Sequence, residues 1–494
     1  MTRSERFGQE QSSSWFVVMC DCLDCAAVKQ DVLRTAMALD LNAHRLRTVR
    51  LQPKPQVRLA RVTYVGSAPR QTAGRPITGE REFWVLVGYS VALGVFGGFA
   101  GLLSLGAIKL GGRWSTASGP GWFGGHWWWV AVTAAAGIVV GILRRVTHLP
   151  EEVPGLFDDL QTENFDPGLM PGTIAVSAVS LIGGASVGPE KLLASMGAGT
   201  GSWIARRCRM GKEDRQVNTL SGIAGIFGGL FSSPVIAVML ILEVARPGGR
   251  RLSKTLVTDI AAASVSFGIY FAIAGAVFLG AYQVPRYTFA DWQLLAAIPL
   301  GLFGGVVTTV AAGFIVVTSR LFSWLKVPSV VKSTVGGVLF GVVGVALPLT
   351  MFSGGDQLAS VLKGARTLGL GLCIAILVAK MLTYAVSQGS GFLGGPIFPS
   401  LFVGGTAGVV VHLAIPGVPL GLAFSCLLPA VLGTLAAAPL AMVVMAVFLT
   451  RVEPLQTPPI LIAVVTAYLS VEGMKYLLAN CGRNALRRCS RLGS

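Results

Sequence analysis

The sequence predicts an all-α polytopic membrane protein, an inverted repeat of tilted and broken helices, and three observations carry that prediction. The first is composition: of 494 residues, 53% are hydrophobic and only 13% charged, with a mean hydropathy of +0.67. Water-soluble globular chains do not have that balance. The second is the placement of charge. The net charge of +17 is concentrated in the two tails and in short loops between apolar runs, as the positive-inside rule expects, so it reads as membrane topology and not as a nucleic-acid footprint. The third is repetition. Gly188-Pro189-Glu190-Lys191, with glycines again at Gly197 and Gly201, matches Gly395-Pro396-Ile397-Phe398, with glycines at Gly404 and Gly408. Pro234 and Pro439 form a further matching pair. Gly/Pro-interrupted apolar segments at corresponding places in two halves point to a binding site in a transporter-like fold.

The Gly-Pro pairs have a physical reading. Glycine ends an extended stretch, and proline suits the start of a helix because its missing N–H would have been unpaired there. The next amides, those of Glu190 and Lys191 and of Ile397 and Phe398, then point forward without partners. Inside a membrane, these amides and the positive end of the helix dipole favour a small anion. The competing reading is that Gly-Pro only kinks a buried helix, as is common in membrane spans.

Taken in order, residues 1–80 form a basic, partly disordered tail expected in the cytoplasm, and 81–480 form the transmembrane domain, with halves at about 83–285 and 286–480. Cys20, Cys22 and Cys25 cluster in the tail, but no second cysteine pair accompanies them, and the four histidines show no ligand spacing. Neither metal nor cofactor is implied. A first span is expected at 83–110, then a Trp-rich belt from Trp114 to Trp129 suited to a membrane interface, then a span at 128–143. Residues 150–166 hold Glu151, Glu152, Asp158, Asp159, Glu163 and Asp166, which read as dipole partners in a solvated turn.

The apolar run 170–187 delivers Glu190, the only acidic residue between Asp166 and Glu213. A lone carboxylate at a buried helix start is costly and points to function. A salt bridge to Lys191 is the structural alternative, but adjacent helical residues point apart. The basic loops at Arg206–Arg215 and Arg246–Lys254 bracket a short apolar segment broken at Ser232-Ser233-Pro234. It is expected to enter and return as two half-helices. Further spans are expected at 255–282, 291–325, 333–351, 366–387, 419–449 and 458–479, followed by a short basic tail at 481–494 and no soluble domain. Lys380, in mid-span, either snorkels to an interface or attracts anions. Both termini are expected on the cytoplasmic side of a cell membrane.

At these residues the chain resembles the CLC family of chloride channels and proton/chloride antiporters, as a divergent bacterial-type member without CBS domains. Gly188-Pro189-Glu190-Lys191-Leu192 resembles the family's Gly-Arg-Glu-Gly-Pro motif, which makes Glu190 the counterpart of its gating glutamate. Gly395-Pro396-Ile397-Phe398-Pro399 resembles the family's Gly-x-Phe-x-Pro motif. The resemblance implies a CLC-like fold, an anion site formed by Gly188, Pro189, Glu190, Lys191, Gly395, Pro396, Ile397 and Phe398, and a homodimer with a pore in each subunit.

The departures are specific. Pro396 stands at an amide-donating position and cannot donate, so Ile397 and Phe398 must serve. The family's serine motif falls on Pro150-Glu151-Glu152-Val153-Pro154, which removes the serine and makes Glu151 and Glu152 inner-site candidates. Tyr476 is the candidate pore tyrosine. Where antiporters carry two glutamates, this chain has Glu243 and Val244 on the proton path.

The resulting expectation is transport of chloride or a similar small anion through the bilayer, with Glu190 as carboxylate occupying the outermost anion position until protonation or anion competition swings it aside. Val244, lacking a carboxylate, favours a passive channel over a proton/chloride antiporter with unconventional coupling. A cation or solute carrier, suggested by Glu151 and Glu152, is a rival. An intramembrane hydrolase using Ser186 or Ser195 lacks a histidine or a second acid, and a structural scaffold would leave Glu190 without a purpose.

Overall fold

The computed structural model describes residues 81–115, 127–163, 165–275 and 277–492. The tail at 1–80 with its three cysteines, and Trp122 of the tryptophan belt, lie outside the described residues. The chain divides into a body of residues 80–472 and a second unit made of 1–79 and 473–494. Of the second unit, 473–492 are described, all helical.

Apolar runs too long for a soluble core fold as helices, because in lipid each backbone amide must bond within its own segment. The first half comprises α1 (Arg81–Ser115), α2 (Trp128–Val146), the short α3 (Leu156–Thr162), α4 (Met170–Ile182), α5 (Glu190–Arg207), α6 (Lys212–Leu230), α7 (Pro234–Ala245) and α8 (Gly249–Ala274). The second comprises α9 (Trp292–Trp324), α10 (Ser329–Ala346), α11 (Gly355–Lys363), α12 (Ala365–Gly389), α13 (Ile397–Ala414), α14 (Leu420–Ala436), α15 (Pro439–Thr450) and α16 (Thr457–Leu492). Eight of the described helices are long and apolar enough to cross a membrane.

The repeat seen in sequence is a repeat of elements. Helices α5 and α13 each have 18 residues, and α7 and α15 each have 12. The repeated glycines of α5 and α13 serve packing. A Cβ on Gly197 would overlap the Gly222 carbonyl of α6, and one on Gly404 would lie 2.6 Å from the Leu427 carbonyl of α14. Small residues let helix backbones approach closely where no hydrophobic effect drives them together.

Two expected segments differ. The span expected at 419–449 is two helices, broken at Ala437 in a left-handed conformation (φ 51°) before Pro439 opens α15. Proline cannot continue the hydrogen-bonding ladder. Its counterpart breaks in the same way: Ser232 has φ 50°, and Ser233 Oγ accepts from the Ile236 amide of α7. At the far end, the stretch expected as a tail continues α16 to Leu492.

Candidate functional site

Two short extended segments, each just ahead of a helix, meet in the middle of the body. Gly188 and Gly395 form an antiparallel bridge, with Gly188 N–H donating to Gly395 O (2.8 Å) and Gly395 N–H donating to Gly188 O (2.7 Å). The antiparallel sense of the bridge is the one an inverted repeat of these two segments would give. Supporting bonds cross between halves: Ser186 N–H donates to Ser387 Oγ (3.2 Å), and Leu393 N–H to Ser180 Oγ (3.2 Å). Arg144, buried at the end of α2, donates to Gly391 O, Pro150 O and Glu151 O. At the sequence level Arg144 looks like an ordinary loop charge.

Glu190 is completely buried. Its Oε1 accepts from the Phe398 amide at 2.7 Å, and its Oε2 has no hydrogen-bonding partner among the described residues. The carboxylate therefore sits on the first turn of α13, enclosed. A Cβ on either Gly188 or Gly395 would overlap Oε2. Glycine at both places is what lets a carboxylate reach the opposite helix. The Phe398 ring is fixed by edge contact with Phe278 (5.9 Å), which meets Phe231 in turn (5.5 Å).

The other expected residues are distributed as follows. Pro189 and Pro396 stand at the N-cap positions of α5 and α13, one residue ahead of the helix. Ile397 is buried beside Phe398. The Lys191 side chain donates to Asp159 of α3, both buried. Helical spacing separates it from Glu190, and Asp159, expected in a solvated turn, is buried. Glu151 and Glu152 are exposed, Glu151 facing Lys332 at 3.9 Å. The Glu243 carboxylate accepts from the Leu440 (2.9 Å) and Ala441 (2.7 Å) amides and so caps α15, while Val244 is buried in α7. Tyr476 belongs to the second unit and is 65% exposed. The tyrosine within electrostatic reach of Glu190 is Tyr384 of α12, whose hydroxyl accepts from Gln388 Nε2 (3.1 Å). Only its position four residues before Gln388 could have suggested it.

Chemically, the site offers helix-start amides in a buried setting, one of them bonded to a carboxylate from the other repeat. Among the described residues the hydroxyls of Ser186 and Ser195 are buried without hydrogen-bonding partners, so neither is joined there to a base as a nucleophile requires.

Comparison with known proteins agrees with this layout. YfeO, a candidate ion-transport protein of Salmonella newport, is 28% identical over 375 residues, 72% of this chain and 85% of that protein. The YfeO of Salmonella choleraesuis is 27% identical over the same length and shares. A slow cyanobacterial Cl−/H+ antiporter superposes with a TM-score of 0.70 at 16% identity, covering 80% of this chain and 97% of that one. A CLC-type fluoride/proton antiporter superposes with a TM-score of 0.65 at 18% identity, covering 78% and 95%. At such identities these structures show a common fold. The sequence profile described as voltage gated chloride channel matches residues 136–472, from within α2 to α16. The chain is a multi-pass membrane protein belonging to the voltage gated chloride channel family.

Proposed function

We propose that this protein moves chloride or a similar small anion across the membrane and that Glu190 is its gate. The observation that carries the reading is the bond from the Phe398 amide to the Glu190 carboxylate inside a closed site. A carboxylate on helix-start amides is a tethered anion, held by donors that a free anion would use. Protonation removes its charge and weakens the hold, and a competing anion displaces it. The path then opens, with an ion in its place. Helix α13 serves without a donor at Pro396 because Phe398 supplies one.

The passive channel remains the preferred mode, since Val244 offers no carboxylate and Glu243 is committed to the amides of α15. A second reading, a proton/anion antiporter, is favoured by Asp159, a buried acid joined to the residue next to Glu190. The protein is proposed to act as a homodimer with one pathway per subunit. Isotope-labelled chloride efflux from reconstituted vesicles at two pH values tests the function. Flux that rises as pH falls, and loses that dependence in Glu190→Gln, supports it, and an absence of chloride flux overturns it.

A further inference from the structure

Lys380 lies within α12 and is completely buried, so it does not snorkel. Its Nζ donates to Thr350 O (3.0 Å) and Phe352 O (2.7 Å), and it lies over the Phe402 ring, 5.1 Å from the centroid. Three electron-rich neighbours match the three protons of an ammonium. A neutral amine would have to turn its lone pair towards one of them. Among the described residues no carboxylate pairs with Lys380. The other buried lysine, Lys191, is cancelled by Asp159. Lys380 is thus held by two carbonyl dipoles and a ring, and its ammonium form is solvated there by the protein but not neutralised.

Contacts connect that charge to the site. Phe402 is on α13, whose first turn holds Glu190. Gly354, in a left-handed conformation (φ 97°), is wedged against both partners. A Cβ there would meet Phe402 Cβ at 3.0 Å and Lys380 Cε at 3.2 Å. The next residue, Gly355, lies against the Phe398 ring, where a Cβ would meet Cδ1 at 3.2 Å. On the other side, the Phe352 amide donates to Gly184 O (3.2 Å), in the stretch leading to Gly188. The loop that holds the ammonium therefore touches the segments that build the site from both halves.

We propose that Lys380 is the fixed counter-charge of the anion site, compensating the Glu190 carboxylate when the path is closed and the transported anion when it is open. This rests on the reading that Glu190 holds the anion's place. Moving an anion into a low-dielectric interior is costly unless opposite charge is already there. Helix-start amides supply partial charge, and Lys380 supplies a whole one. Lys380 should then set how tightly the anion is held, while Glu190 sets when it enters.

The test is the chloride dependence of flux in vesicles for wild type, Lys380→Gln, Lys380→Met and Lys380→Arg at one pH. Gln and Met should raise the half-saturating chloride concentration about tenfold or more, and Arg, which keeps the charge, should stay within about threefold. If Gln and Met do not fold, Ser353→Asp places an opposing charge at a partly exposed position beside Phe352 and should raise the same concentration. Saturable wild-type flux, with a half-saturating concentration unchanged in folded Lys380→Gln or in Ser353→Asp, overturns the proposal alone. Absence of chloride flux in the wild type overturns the transport reading and this one with it.

Discussion

The carboxylate of Glu190, at the start of α5 in one repeat, accepts a hydrogen bond from the Phe398 amide, at the start of α13 in the other, across 2.7 Å. Each half supplies one partner: α13 the amide at its start, and α5 the buried carboxylate. The contact ties the two copies together.

Removing the charge of Glu190 should separate gating from conduction. Glu190→Gln keeps the shape and should leave chloride flux measurable in vesicles while flattening its pH dependence to less than about twofold between pH 5 and 7.5. A titrating carboxyl can change occupancy by up to about tenfold per pH unit. In the wild type, flux should rise as pH falls, because the neutral acid binds the Phe398 amide less strongly. Loss of flux with retained pH dependence would place the gate elsewhere.

Adding a methyl group beside the carboxylate should have a similar result by a different route. Gly395→Ala puts a Cβ where Glu190 Oε2 lies. Overpacking of this kind costs about 1–3 kcal/mol. The carboxylate should be driven from its seat, giving flux with weakened pH dependence even though Glu190 is intact. A variant with unchanged pH dependence and normal melting would show that the site has room.

The ion pair of Lys191 and Asp159 should behave as a buried pair. Replacing one partner, as in Lys191→Met, leaves an unpaired buried charge and should cost about 3–5 kcal/mol, whereas the double change to Lys191→Met with Asp159→Leu should recover much of it. Melting temperatures in detergent for the four-membered cycle read this directly. Additive losses would mean that the two side chains do not depend on each other.

Glu243 is predicted to matter more for folding than for coupling. Glu243→Gln weakens the cap on α15 and should lower stability by about 0.5–2 kcal/mol. In the channel reading, the reversal potential under a pH gradient should follow the chloride gradient alone in wild type and variant alike. A wild-type shift with pH that Glu243→Gln abolishes would assign Glu243 to proton movement and support antiport.

Much of this arrangement was legible in the chain. Hydropathy and Gly-Pro punctuation marked membrane helices, two halves and the starts of α5 and α13, because glycine followed by proline favours a helix start. The isolation of Glu190 was visible by the same logic. The break at Ala437-Ala438-Pro439 carried a weaker sign and was hidden inside a continuous apolar run. Helix α16 outran its apolar segment, whose end in basic residues looked like a tail.

The sequence by itself determined the membrane class, the duplicated plan and the isolation of one acid at a helix start, because hydrophobicity, proline and a lone carboxylate are local features. Only the tertiary structure decided which partners those residues have. It placed Glu190 on the Phe398 amide, Lys191 on Asp159, Lys380 on two carbonyls and a ring, and Glu151 and Glu152 at the surface. Each of those partners is remote along the chain, and whether a buried charge meets an opposite charge, a dipole or water depends on which helices the fold brings together.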